Sequence, residues 1–281
     1  MQGLERIQNI FAATRREKRA ALMPYFSLGF PTPELSLEIV KQVCQSGADL
    51  LELGFPFSDP LADGPTIQHS TQVALQQGMR VGDCLAQVSR LRSDGVEQGI
   101  LMMGYYNPML AYGLEALVAD SAQAGVDGFI VPDLPVEEAG ELAALCAARE
   151  LALVAFVAPT TPEGRIAEIV QVASGFIYLV SLVGVTGERS ALAAGLKGFV
   201  ERVRSKTELP LAVGFGISTP AQARAVGALA DGVIVGSALI RVAAESSQPV
   251  QAAGDFVAAL RQGLEAEPSP DGQIALGESA Q

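Results

Sequence analysis

A glutamate in the middle of an apolar run, Leu50-Leu51-Glu52-Leu53-Gly54, is the residue best placed to do chemistry in this 281-residue chain. An ionised carboxylate is costly to bury. Glu52 must therefore aim into a functional cavity or pair with a buried Arg. Desolvation in such a cavity raises a carboxyl's pKa, which suits a group that gives and takes a proton near neutral pH. The twelve residues from Gly54 to Pro65 hold three prolines and two glycines, so this loop is stiff and contorted. Near its end, Asp63 stands between Ala62 and Gly64. It either returns over the mouth of the cavity as a second carboxylate or caps a helix that opens at Pro65.

A second constellation lies far along the chain. Val213-Gly214-Phe215-Gly216-Ile217-Ser218 and Val235-Gly236-Ser237-Ala238-Leu239 each put glycine at the end of an apolar run. Backbone N–H groups at glycine approach an anion closely, and a helix N-terminus favours its charge. Glycines also make ordinary tight turns. Their pairing at two successive strand ends favours a phosphate cradle. In Ser181-Leu182-Val183-Gly184-Val185-Thr186-Gly187 two glycines flank Val-Thr, which suits either a lid or a plain surface loop. Gly187 could also reach the phosphate.

Other chemistries are poorly supplied. The lysines are Lys18, Lys41, Lys197 and Lys206, none at an expected strand end, which argues against a Schiff-base aldolase. His69 is the only histidine, and without clustered carboxylates it makes a poor start to a metal site. The three cysteines, Cys44, Cys84 and Cys146, are an odd count without CxxC spacing, as expected of reduced thiols in a cytoplasmic protein. The net charge of −12 disfavours a nucleic-acid partner. No long apolar run suggests a signal peptide or a membrane span. What remains is carboxylate acid–base chemistry on a phosphorylated substrate.

Such groups need a frame. Eight short apolar runs recur: 22–28, 50–53, 100–103, 129–131, 151–157, 176–180, 211–215 and 232–235. Most lack period-two alternation, as expected of strands buried on both faces. Helical patterns lie between them, over 35–44 and 136–149 for example. Thr32-Pro33-Glu34, Thr161-Pro162-Glu163 and Ser218-Thr219-Pro220 read as helix starts. Gly47–Asp49, Gly125–Asp127 and Ala230-Asp231-Gly232 read as helix stops before a strand. Eight strands alternating with helices predict a (β/α)8 TIM barrel, whose functional groups lie at the C-terminal strand ends. An amphipathic segment over 1–20, with Leu4, Ile7, Ile10 and Phe11, is placed to plug the opposite end. Residues 1–265 are expected to form one domain, and the Glu-, Pro-, Gly- and Ser-rich 266–281 a flexible tail.

With these residues in hand, the chain closely resembles the tryptophan synthase α-subunit family from about Leu4 to Leu264. The resemblance rests on 51–54 with 57–68, on Tyr105-Tyr106-Asn107-Pro108, on 132–138, on Gly184-Val185-Thr186-Gly187 and on 214–218. It implies retro-aldol cleavage of indole-3-glycerol phosphate to indole and glyceraldehyde 3-phosphate. It makes Glu52 the general acid–base and gives Asp63 the indole N–H. It sets Tyr178 beside the reacting centre and packs Tyr25, Ile67, Met103, Ile130 and Phe215 around the ring. It assigns the phosphate to Gly187, Gly216, Gly236 and Ser237, the last forming part of a short helix after strand eight. Thr186 would meet Asp63 when the lid closes. The family implies no cofactor in this chain and an α2β2 assembly with a β subunit carrying pyridoxal phosphate. The loops Pro56–Asp59 and Asn107–Pro108 would make the contact. Many relatives carry Arg where this chain has Leu182. Alternatives are a stand-alone lyase that releases free indole and a mainly allosteric subunit with weak lyase activity.

Overall fold

The computed structural model describes residues 3–180, 189–214 and 216–265. In chain order the elements are α1 (Gly3–Arg16), β1 (Ala21–Ser27), α2 (Pro33–Gln45), β2 (Leu50–Gly54), α3 (Pro65–Gln76), α4 (Val81–Ser93), β3 (Gly99–Met103), α5 (Tyr106–Tyr112), α6 (Leu114–Ala124) and β4 (Gly128–Ile130). They continue with α7 (Gly140–Ala148), β5 (Ala152–Val157), α8 (Glu163–Val172), β6 (Ile177–Val180), α9 (Arg189–Arg204), β7 (Leu211–Gly214), α10 (Pro220–Gly227), β8 (Gly232–Val235), α11 (Ser237–Glu245) and α12 (Pro249–Glu265). The eight parallel strands close in sequence order, β8 pairing with β1, as a TIM barrel. All eight apolar runs become strands. No helix among the described residues is long and apolar enough to cross a membrane.

The helix starts follow the side-chain chemistry anticipated for them. Thr32 accepts the Leu35 N–H, and Thr219 accepts the Gln222 N–H in a reciprocal capping box. Thr161 departs from the pattern: Pro162 is the cap residue of α8, and the Thr161 hydroxyl instead accepts the Ala158 N–H. A Thr219→Ala variant is expected to lose about 1 kcal/mol of stability, the usual value of such a cap, measured as a lower denaturation midpoint. The helix expected over 136–149 is shorter, forming only Gly140–Ala148. Ahead of it, Glu138 and Ala139 donate to the carbonyls of Pro135 and Val136. These i→i+3 bonds make turns rather than α-helix, and Glu137 reaches out to pair with Arg165 of α8.

The barrel interior is filled by Met23, Leu50, Leu101, Ile130, Val154 and Ile234, one from each of six strands, and is closed below by α1. Ile7 and Phe11 of α1 are buried in that cluster, with the Phe11 ring 5.8 Å from Phe176. The burial of each is worth about 1.5–3 kcal/mol.

The N-terminal strand ends carry a repeated clamp. The Leu22 N–H donates to Asp49, Ile100 to Asp127, Leu153 to the Ser174 hydroxyl and Leu211 to Asp231. In each case an odd-numbered strand is tied to the residue leading into the next, even-numbered one. The three aspartates also meet arginines. Asp49 meets Arg19 and Arg261, Asp127 meets Arg6 and Arg92, and Asp231 meets Arg204 and Arg15. Gly47 and Gly125, at φ 108° and 89°, turn the chain into the first two of these starts.

Candidate active site

The register sets the first layer of the site. Glu52 lies opposite Tyr25 on β1 and Leu101 on β3, so β2 presents its carboxylate to the barrel interior near the C-terminal rim. Glu52 is 1% exposed, and neither carboxyl oxygen has a hydrogen-bond partner. The pairing with a buried Arg does not occur. Burial alone pushes its pKa up to about 8. At neutral pH the carboxyl is therefore held as the acid, with a conjugate base within easy reach.

Asp63 does not cap α3. The cap residue is Gly64, and it has no side-chain hydrogen bond. Asp63 faces Tyr105 at the end of β3 instead. The Tyr105 hydroxyl accepts the Ala62 N–H at 2.8 Å and donates its own proton to Asp63. Burial lifts the Asp63 pKa to about 6, and the Tyr105 bond pulls it down. Tyr105 is thus a positioning residue for the second carboxylate, and its ring also packs 5.4 Å from that of Phe57 in the same loop. Sequence reasoning quoted Tyr105 only within a motif. Nothing in a tyrosine after a strand points back to a loop 43 positions earlier. A Tyr105→Phe variant is expected to raise the Asp63 pKa above about 6, because a bond to the charged form is lost. Turnover on the acidic side would then begin to fail at higher pH, which a pH–rate profile would reveal.

Tyr25 and Tyr178 complete the polar layer. Both are buried, and burial is the main cause that raises each hydroxyl's pKa, followed by Asp63 for Tyr25 and by Glu52 for Tyr178. The Tyr178 ring stacks 4.6 Å from Phe156 on β5. Two strand-end glycines make room for these rings. A Cβ on Gly54 would overlap the ring and hydroxyl of Tyr25, and one on Gly214 would overlap those of Tyr178. Sequence reasoning read Gly214 only as part of the phosphate cradle.

Ile130 is fully buried, whereas Ile67 and Met103 are partly buried against the core. Gly236 is the cap residue of α11, and Ser237 is that helix's first residue. A Cβ on Gly236 would lie 3.7 Å from Ile67, so the apolar pocket and the glycine loop adjoin. Gly216 has φ 74°, a left-handed conformation that glycine adopts without strain. Phe215, Leu182, Thr186 and Gly187 lie outside the described residues, as does the segment 266–281.

Other candidates are not brought to this site. His69 is exposed on α3, its ring 6.3 Å from Phe30. The three cysteines are buried, and burial pushes the Cys44 and Cys146 thiols up to about 12, far from a nucleophile's range. A cavity of about 450 Å³ is lined by the segment that follows β4 (Val131–Val136 and Ala139), by β5 and by α8. Its one cation, Arg165, is engaged by Glu137 and Glu168, and it holds no pair of buried carboxyls.

The barrel thus carries a buried, partnerless carboxyl on β2, a second carboxylate in the next loop and a helix after β8 that starts at a glycine. The sequence profile of the "Tryptophan synthase alpha chain" family matches residues 11–267. The chain belongs to the tryptophan synthase alpha chain family. Among its relatives, the alpha chain of Chloroflexus aggregans is 55% identical over 237 residues, 84% of this chain and 89% of that protein. The alpha chain of Roseiflexus sp. strain RS-1 is 53% identical over 92% of this chain and all of its own length. The crystal structure of tryptophan synthase subunit alpha from Legionella pneumophila superposes with a TM-score of 0.87 at 37% identity, covering 94% of this chain and 99% of that one. The alpha chain family reaction is a lyase reaction of tryptophan biosynthesis, and the arrangement of Glu52 and Asp63 suits it.

Proposed function

We propose that the chain cleaves indole-3-glycerol phosphate to indole and glyceraldehyde 3-phosphate. The observation that carries the reading is Glu52, buried and without a partner, set among Tyr25, Tyr178 and Asp63 at the barrel mouth. A retro-aldol cleavage of this substrate protonates C3 of the indole and takes a proton from a glycerol hydroxyl. Glu52, held as the acid, gives the first proton. Its carboxylate then takes the second. Asp63 accepts the ring N–H and balances the positive charge that develops as C3 is protonated. Ile67, Met103, Ile130 and Phe215 flank the ring. The backbone N–H groups of Gly187, Gly216, Gly236 and Ser237 hold the phosphate, with the Ser237 hydroxyl adding a further donor. Thr186 meets Asp63 on closure. No step needs a cofactor in this chain.

The indole passes to a β subunit carrying pyridoxal phosphate, in an α2β2 assembly within the cytoplasm. The loop Pro56–Asp59 and the first turn of α5, which holds Asn107 and Pro108 as helix rather than as the expected loop, face that partner. Leu61, 94% exposed, and Leu110, 49% exposed, are the large apolar side chains left open beside them. The deciding experiment is indole release by the purified chain, alone and with a β subunit. Slow release that accelerates on adding the partner is expected. Absence of indole in both arms would sink the reading, and a rate indifferent to the partner would favour a stand-alone lyase.

A further inference from the structure

The second carboxylate stands in a turn that is held from two sides. On the α3 side, the Gln68 side-chain amide donates to the Asp63 carbonyl at 3.0 Å and to the Pro60 carbonyl at 3.4 Å. The Asp63 N–H closes the turn on the Pro60 carbonyl at 3.1 Å. These bonds fix the backbone and leave the carboxylate to the other side. There the Tyr105 hydroxyl accepts the Ala62 N–H at 2.8 Å, and its own proton serves Asp63. The direction of the Asp63 side chain thus depends on where Tyr105 is held.

Tyr105 is also the cap residue of α5, with φ −84° and ψ 154°, and it makes no side-chain cap bond. A helix start leaves its first N–H groups without partners inside the helix, and a Ser, Thr, Asp or Asn at the cap normally satisfies one of them. A tyrosine whose hydroxyl is engaged at Ala62 does not. The third residue of α5, Pro108, has no N–H to satisfy. The first, the Tyr106 N–H, is met from elsewhere: Asp133, in the segment after β4, accepts it at 2.9 Å. A carboxylate at a helix N-terminus also suits the helix dipole. Asp133 does from 27 positions away what the cap residue would otherwise do. The cap position is thereby free to carry the tyrosine.

We propose that Asp133 is a positioning residue for Asp63: by capping α5 it fixes Tyr105, and Tyr105 fixes the carboxylate that receives the indole N–H. The role of that carboxylate rests on the lyase reading, whereas the tie from Asp133 to Asp63 does not. Two neighbouring groups share the field of Asp63. Its charge reaches Tyr25 from β1 and Tyr178 from β6, and that of Glu52 on β2 reaches the same two hydroxyls. The charge of Asp133 reaches Tyr105.

The test titrates Asp63 directly in the full chain by carbon-13 NMR of labelled aspartate carboxyls. The Asp63 signal is assigned by its loss in Asp63→Asn. This readout does not depend on turnover, so it can fail while the lyase reading stands, and the reverse. Asp133 is exposed, so its variants are expected to fold. Asp133→Ala removes the acceptor and loosens the start of α5. The Asp63 midpoint should rise by roughly half a pH unit, as part of one hydrogen bond to its charged form is lost. Charge alone predicts the opposite sign, because taking away a negative charge lowers a neighbouring carboxyl's pKa. Asp133→Asn keeps an oxygen for the Tyr106 N–H and should hold the midpoint at or just below the wild-type value. In the Tyr105→Phe background, Asp133→Ala should bring no further rise. A midpoint that stays or falls in Asp133→Ala, that rises equally in Asp133→Asn, or that rises again in the Tyr105→Phe background would overturn the proposal.

Discussion

Glu52→Gln is expected to lower indole release by a factor of about 10²–10⁴, the usual contribution of a positioned acid–base group, and at the same time to stabilise the fold. The second half follows from burial. The folded-state pKa of Glu52, about 8, lies above its ordinary value of 4.5. A carboxyl whose pKa is raised by folding favours the folded state below its unfolded pKa. That advantage is lost as pH rises through the folded value. Glutamine has no proton to lose. The variant should therefore match the wild type in stability near pH 4.5 and exceed it increasingly toward pH 8, by on the order of a few kcal/mol at most. Paired thermal melts across that range would measure it. A variant that keeps more than a tenth of the activity, or that melts below the wild type at pH 8, would contradict the assignment. This is the stability cost of an active-site group carried by a strand.

Asp127→Ala should have the largest effect on stability among single substitutions on the opposite face. Asp127 is fully buried and accepts the N–H groups of Gly3 at 2.6 Å and Ile100 at 2.8 Å. It also pairs with Arg6 at 2.8 Å and Arg92 at 2.7 Å. Burial, opposed by the attraction of Asp127, lowers the Arg92 pKa to about 10, so this guanidinium depends on its counter-charge. Removing one partner of a buried pair leaves the other charge uncompensated and costs about 3–5 kcal/mol. That is a large part of a typical total of about 5–15 kcal/mol. The denaturant midpoint should fall with little change in slope. Turnover per folded molecule should hold, because Asp127 precedes β4 at the end away from Glu52. A loss below about 1 kcal/mol would mean that the clamp carries little of the fold's stability.

The barrel was legible because its signals are local. Apolar runs without alternation mark strands buried on both faces, and Thr32 and Thr219 do what their spacing with Pro implies. Glu52 stood out because a lone carboxylate in such a run must have a reason. The relations across the barrel were not legible. Nothing near Gly54 announces that the Tyr25 ring occupies its place, and nothing near Tyr105 points to Ala62 and Asp63. The start of α7 was misplaced for a similar reason. The pattern over 136–139 is compatible with helix, but Glu137 is drawn to Arg165 of the next helix and the backbone settles into turns. Asp49, Asp127 and Asp231 looked like the ends of helix stops. Their bonds to a neighbouring strand appear only when the strands are side by side.

The amphipathic helix under the barrel has a bearing on traffic through it. With Ile7 and Phe11 seated in the interior, the β-strand tube is a cup and not a pipe. An apolar molecule freed beside Glu52 meets packed side chains in one direction and the loop-lined rim in the other. Entry and departure must share that rim, so a substrate waiting there and a product leaving compete for one doorway. On the proposed reading, a partner that takes up the indole stands over the same opening that admits the substrate, and so bears on both.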